Sequence, residues 1–284
     1  MIADHTTVID GQTLYYRTAG DSPHPHVMLL NGWGARLTGW LGSDRVIAEL
    51  ARYFYVVSPE LPGFMRSPPP KRPWTLEDHG QLLHHLLESL RLNPPILIGQ
   101  SFGGAFTATY ARLFPRTIRC LVLVDALLVG ETNLYHWVIR KIPSLARVVN
   151  SPCVPLSITR LAWSLYVGVP RAMLTAENVH EYLVMPRLQT SPDLPIDERG
   201  LRAPLFLVWG HRDWWVTPLA RARKLHADMP TARLIVVRGG HTILYRKPAC
   251  VIAAIRQGLR ELLPMPPGSS SPTAGPTLPN ARVV

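Results

Sequence analysis

Cysteine, lysine and long apolar runs are all scarce in this chain. Its three cysteines, Cys120, Cys153 and Cys250, are odd in number, far apart and without C-x-x-C spacing. That pattern gives neither a disulfide framework nor a zinc site. Cys120 opens an apolar run and Cys250 sits in a helix-like stretch, so both are expected to be plain buried thiols. No apolar run reaches the ~18 residues a membrane-spanning helix needs. Met1-Ile2-Ala3-Asp4-His5 lacks the basic-then-apolar order of a secretory signal. A cytoplasmic protein with no integral membrane segment is therefore expected. Only four of the 30 basic residues are lysine, and the net charge of +11 is spread along the chain as arginine. With no run of like charge and no aromatic-basic module, a nucleic-acid partner is not expected. The histidines at 24, 26, 84 and 85 have no carboxylate or cysteine at ligand spacing, so no metal is expected, and no cofactor either.

What the chain does have is an alternation of short apolar strands and helix-like segments. At 284 residues with 47% hydrophobic content, it can form one large α/β domain carrying an insertion. β-Formers flank Asp10-Gly11 between residues 6 and 18, a hairpin signal. Continuous apolar strands are expected at 26–30, 54–58, 95–98, 120–124, 204–210 and 233–237, with helices between them. Thr75 and Asp78 form a capping-box pair at the start of one of these helices. Unbroken apolar strands separated by helices predict a mostly parallel central sheet flanked by helices. The βα rhythm stops from 127 to 200, where proline punctuates helix-like sequence rich in large apolar residues. That stretch is expected to be an inserted helical cap over a core made of 1–126 and 201–263. Residues 264–284, rich in Pro, Ser, Gly and Thr, are expected to be a disordered tail.

The chemistry centres on Gly99-Gln100-Ser101-Phe102-Gly103-Gly104. A buried strand precedes this G-x-S-x-G pattern and a helix follows it. Such a strand–turn–helix around a serine exposes the hydroxyl above the sheet edge. A serine hydroxyl is a weak nucleophile near neutral pH, so it needs a base, and the base needs an acid to fix its tautomer. His241 and Asp213 both fall just past strand ends, where distant parts of such a sheet converge. The order Ser101, Asp213, His241 is that of the triad in one large hydrolase fold.

Together with Asn31-Gly32-Trp33-Gly34, Leu61-Pro62-Gly63-Phe64 and Val208-Trp209-Gly210-His211-Arg212-Asp213, these motifs resemble the α/β-hydrolase fold family over nearly all of residues 6–263. The resemblance implies Ser101 as nucleophile, His241 as general base and then acid, and Asp213 as the orienting acid. It implies an oxyanion hole from the backbone N–H groups of Trp33 and Phe102. Asp125, at the end of the preceding strand, is the alternative acid. Asn31, Gly32, Trp214 and Trp215 are candidate pocket residues. Two departures stand out: Asn31 where many relatives have histidine, and Glu60 where they have aspartate. The implied activity is hydrolysis of a carboxylic ester, on a small-molecule substrate whose acyl group is apolar to suit the cap. Carbon–carbon bond hydrolysis of a diketone-type substrate and non-catalytic small-molecule binding are the alternatives.

Overall fold

The computed structural model describes residues 1–32, 39–72, 74–127, 154–167, 203–214, 216–262 and 281–283. Trp33, Trp215, Cys153 and nearly all of the expected cap lie outside them; within the cap only Leu127 and 154–167 are described. The first two strands, β1 (Ala3–Ile9) and β2 (Gln12–Ala19), form the expected antiparallel hairpin, with Ile9 opposite Gln12. Asp10 (φ 51°) and Gly11 (φ 74°) both take positive φ, which suits the right-handed twist of the flanking strands.

The other strands are β3 (His26–Leu30), β4 (Tyr55–Glu60), β5 (Ile96–Gln100), β6 (Cys120–Val124), β7 (Leu205–Gly210), β8 (Arg233–Val237) and β9 (Ala281–Val283). They form one sheet in the order β1-β2-β4-β3-β5-β6-β7-β8-β9, parallel from β4 through β8. Every residue of β5, β6 and β7 is buried, because both faces of the sheet are covered. Helices α2 (Leu76–Ser89), α3 (Phe102–Leu113) and α5 (Leu219–Asp228) pack on one face. Helices α1 (Gly39–Ala51), α6 (Ile243–Arg246) and α7 (Pro248–Leu262) pack on the other. Helix α4 (Leu156–Val167) is the described part of the cap segment. At α2 the capping box forms as expected: Asp78 N–H donates to Thr75 Oγ1 and Thr75 N–H to the Asp78 carboxylate. Among the described residues no helix is long and apolar enough to cross a membrane.

Two segments differ from expectation. The four-residue helix α6 follows His241 directly, where no element was expected. Within the stretch expected to be disordered, Ala281–Val283 pairs antiparallel with β8, Val283 opposite Ile235. An edge strand exposes unpaired N–H and C=O groups that accept any extended segment, so composition alone could not reveal this pairing.

The strand order also locates a crevice. After β3 the chain moves to β4 on one side, and after β5 it moves to β6 on the other. Loops from two adjacent strands that part in this way leave a cleft at their carboxyl ends, the usual ligand position in such sheets. Asn31-Gly32 and Ser101 stand on its two sides.

Candidate active site

Ser101 lies between β5 and α3 with φ 51° and ψ −121°, a conformation costing a non-glycine residue about 1–3 kcal/mol. Its backbone is pinned on both sides. Its N–H donates to the Val124 carbonyl at 3.1 Å, and its carbonyl accepts from Gly104 N–H at 2.9 Å and Leu127 N–H at 2.7 Å. Leu127 thus belongs to the elbow's support, and its side chain joins the core. Gly103 lets the helix start press against the neighbouring loop, since a Cβ there would stand 2.2 Å from the Leu30 carbonyl oxygen. Phe102 is the first helical residue, so its N–H has no acceptor within the helix. That leaves a backbone donor next to the serine in the chain.

His241 Nε2 lies 2.8 Å from Ser101 Oγ, and His241 Nδ1 lies 2.7 Å from Asp213 Oδ2. An ionised carboxylate only accepts, so the Nδ1 bond places the ring proton on Nδ1 and leaves Nε2 as an acceptor for the serine hydroxyl. Residues 101, 213 and 241 are thereby brought together across 140 residues of chain. Asp213 is held by more than the histidine. Thr217 Oγ1 donates to Oδ2 at 2.5 Å, and the N–H groups of Thr217 (3.1 Å) and Val216 (3.3 Å) donate to Oδ1. Trp209 Nε1, from β7, donates to the Thr217 carbonyl at 2.7 Å and fixes this loop to the core. Sequence reasoning missed Thr217; its only signal was a hydroxyl four residues beyond the acid.

Asp125, the alternative acid, is placed differently. It takes a positive φ of 41°, and its Oδ1 accepts from Gly210 N–H at 2.7 Å. Its Oδ2 is buried and has no hydrogen-bond partner among the described residues. Burial first, and then the negative charge of Asp213, push its carboxyl well above the usual carboxylate range against the opposing Gly210 N–H. It makes no bond to His241 and bridges the ends of β6 and β7.

The remaining candidates divide. Asn31 is half-buried and Gly32 buried at the cleft. Asn31 bonds side chains, its Nδ2 donating to Ser58 Oγ at 3.2 Å. Trp214 is 64% exposed, so it lines no closed wall among the described residues. Glu60 is buried and receives the Arg66 guanidinium, at 2.6 Å from Nη2, and the Arg66 N–H at 2.9 Å. The longer acid therefore secures the loop that starts at Leu61. Among the described residues no group of three or more His, Cys, Asp or Glu side chains is placed to hold a metal.

Sheet order, strained serine and the cleft beside it define a hydrolase-type scaffold, and comparison with known proteins agrees. The family model for the alpha/beta hydrolase fold matches residues 25–150. An uncharacterized protein of Mycobacterium tuberculosis is 25% identical, the match taking in 88% of this chain and 79% of that protein. The 2-hydroxy-6-oxo-2,4-heptadienoate hydrolase of Pseudomonas putida is 35% identical over 35% of this chain and 37% of its own. Among solved structures, the 2-hydroxy-6-oxo-6-phenylhexa-2,4-dienoate hydrolase of Rhodococcus superposes with a TM-score of 0.70 at 20% identity, covering 92% of this chain and 99% of that one. The naproxen esterase of Bacillus subtilis does so with a TM-score of 0.69 at 14% identity, covering 91% and 92%. The chain has the α/β-hydrolase fold.

Proposed function

We propose that the protein is a serine hydrolase that cleaves a carboxylic ester of a small molecule. The observation that carries this reading is the continuous hydrogen-bonded line from Ser101 Oγ through His241 to Asp213. In the first half-reaction His241 Nε2 takes the Ser101 proton as Oγ adds to the ester carbonyl. The tetrahedral oxyanion is held by the Phe102 N–H and by a second backbone donor, the role expected of Trp33. His241 then passes its proton to the leaving alcohol, and an acyl-enzyme remains on Ser101. Water repeats the cycle in the second half-reaction, releasing the acid and restoring the serine. Asp213 keeps the Nδ1 proton in place and stabilises the imidazolium, and its bonds from Thr217 and Val216 let it do so without moving. Each oxyanion donor typically contributes about 3–4 kcal/mol to the barrier reduction.

A second reading is supported by the named 2-hydroxy-6-oxo dienoate hydrolases among the similar proteins. In it the same serine and histidine would serve hydrolysis of a carbon–carbon bond in a diketone-type substrate. Turnover of p-nitrophenyl esters against that of such a dienoate separates the two. A binding-only role is disfavoured because nucleophile, base and acid are all present and bonded to one another.

The first test is covalent. A fluorophosphonate should add one phosphonyl group to the wild-type chain, located on Ser101 by peptide mass spectrometry. Ser101→Ala and His241→Ala should leave the chain unmodified; a folded wild-type protein that does not react overturns the reading.

A further inference from the structure

Three catalytic loops meet at one phenol. Tyr245 sits on α6, four residues after His241, and its hydroxyl lies among groups from two other parts of the chain. It accepts from the Gly32 N–H at 3.4 Å and has two acceptors for its single proton, Asn31 Oδ1 and Gln100 Oε1, each at 3.3 Å. Gln100, immediately before the serine, donates from Nε2 to the backbone carbonyl of His241 at 3.2 Å. Asn31 continues the line through Ser58 Oγ, which donates to the Leu29 carbonyl at 3.2 Å. Gly32 has no room for a side chain, since a Cβ would stand 2.1 Å from Gln100 Oε1 and 2.8 Å from Ser101 Cβ. Asn31-Gly32 is therefore pressed onto the elbow, and Tyr245 holds it there.

We propose that Tyr245, acting with Gln100, is a positioning residue that locks the loop at Asn31-Gly32 to the nucleophile elbow and to the segment carrying His241. The inference rests on the serine-hydrolase reading of the site. None of these three side chains touches the reacting atoms in that reading. Their effect is to fix the backbone that leads into Trp33, the expected second oxyanion donor. The Gly32 N–H is engaged by the phenol and so is not itself a donor to substrate. The hydroxyl also ties loop geometry to the base. A shift of the His241 carbonyl moves Gln100, and Gln100 shares the Tyr245 proton with Asn31. Such a lock acts in the transition state, where the oxyanion forms, more than on ground-state binding.

Tyr245→Phe removes one oxygen and keeps the ring packed. With p-nitrophenyl butyrate as probe, kcat should fall about 10- to 100-fold while KM stays within about twofold, as expected for an interaction felt mainly in the transition state. Combined with Asn31→Ala, the second change should cost much less than it does alone, because both break the same contact. Hydrogen exchange at the Gly32 amide should quicken at least tenfold in Tyr245→Phe, with the thermal midpoint nearly unchanged. If Tyr245→Phe fails to fold, Gln100→Met carries the same two readouts. Unchanged kcat, a rise confined to KM, strictly additive losses, or unaltered exchange at Gly32 would each overturn the lock. Wild-type protein that neither hydrolyses the ester nor reacts with a fluorophosphonate sinks the serine-hydrolase reading instead, and exchange at Gly32 then decides the lock alone.

Discussion

Asp125 and Asp213 stand at the ends of neighbouring parallel strands, both buried, yet their surroundings supply them with very different sets of donors. Asp213 accepts from an imidazole, a hydroxyl and two backbone N–H groups. That is nearly the full capacity of an ionised carboxylate, so its charge is solvated by the protein. Asp125 accepts from one N–H through Oδ1, and its Oδ2 has no partner among the described residues. A buried carboxyl so poorly supplied with donors favours its protonated form. One site can stabilise a developing imidazolium; the other ties two strand ends together. Position in the sheet does not separate them, since each follows the carboxyl end of a buried parallel strand. Local donors do.

The largest expected effect comes from removing the charge at the well-supplied site. Asp213→Asn should lower kcat by about 10³- to 10⁴-fold, since an amide cannot hold the Nδ1 proton in the tautomer the serine needs. Steady-state kinetics on an ester checks this. A fall under tenfold would mean that another group orients His241. Asp125→Asn, by contrast, should keep kcat within about tenfold of wild type.

That same substitution sharpens the contrast through stability. The folded chain holds the Asp125 proton more tightly than the unfolded chain, whose carboxyl titrates near ~3.9. Unfolding above that pH therefore releases a proton, and this residue's contribution to stability falls as pH rises from there through the folded-state value. Asparagine cannot titrate. Thermal melts should show Asp125→Asn gaining on wild type as pH is raised from 4 to 8. A constant difference across that range would mean that Asp125 is charged in the fold.

The smallest expected effect concerns Thr217, whose hydroxyl lies 2.5 Å from Asp213 Oδ2 and 3.1 Å from the Asp125 backbone carbonyl. Thr217→Val removes the 2.5 Å bond to Asp213 Oδ2 while leaving both backbone donors. A hydrogen bond to a charged group contributes about 1.5–3 kcal/mol, so if roughly half of that is felt in the transition state kcat should drop about tenfold. The drop should persist in Asp125→Asn and largely vanish in Asp213→Asn, where the charge is already gone.

The elements that place the site were legible because their signals are local. The hairpin at Asp10-Gly11, the capping box at Thr75 and the strands at 26–30, 120–124 and 233–237 each follow from a handful of adjacent residues. The candidate nucleophile, base and acid were legible because each sits beside a glycine-containing turn at a strand end. Thr217, Gln100 and Tyr245 were not, since their roles arise only when loops from distant parts of the chain converge. Tyr245 meets Gln100 across 145 residues and Asn31 across 214. The distinction between Asp125 and Asp213 was illegible for the same reason: their donors come from Gly210, Val216, Thr217 and His241, and only folding decides which carboxylate each one faces. The edge strand at 281–283 depended on an open partner edge, not on its own composition.

The most direct test is the rate at which a fluorophosphonate modifies Ser101 in wild type, Asp125→Asn and Asp213→Asn, followed by intact mass and mapped by peptide. Wild type and Asp125→Asn should react at comparable rates, and Asp213→Asn should be slower by about 10³-fold or more. Rapid labelling of Asp213→Asn together with loss of labelling in Asp125→Asn would contradict the assignment of the acid. Modification elsewhere than Ser101 would contradict the assignment of the nucleophile.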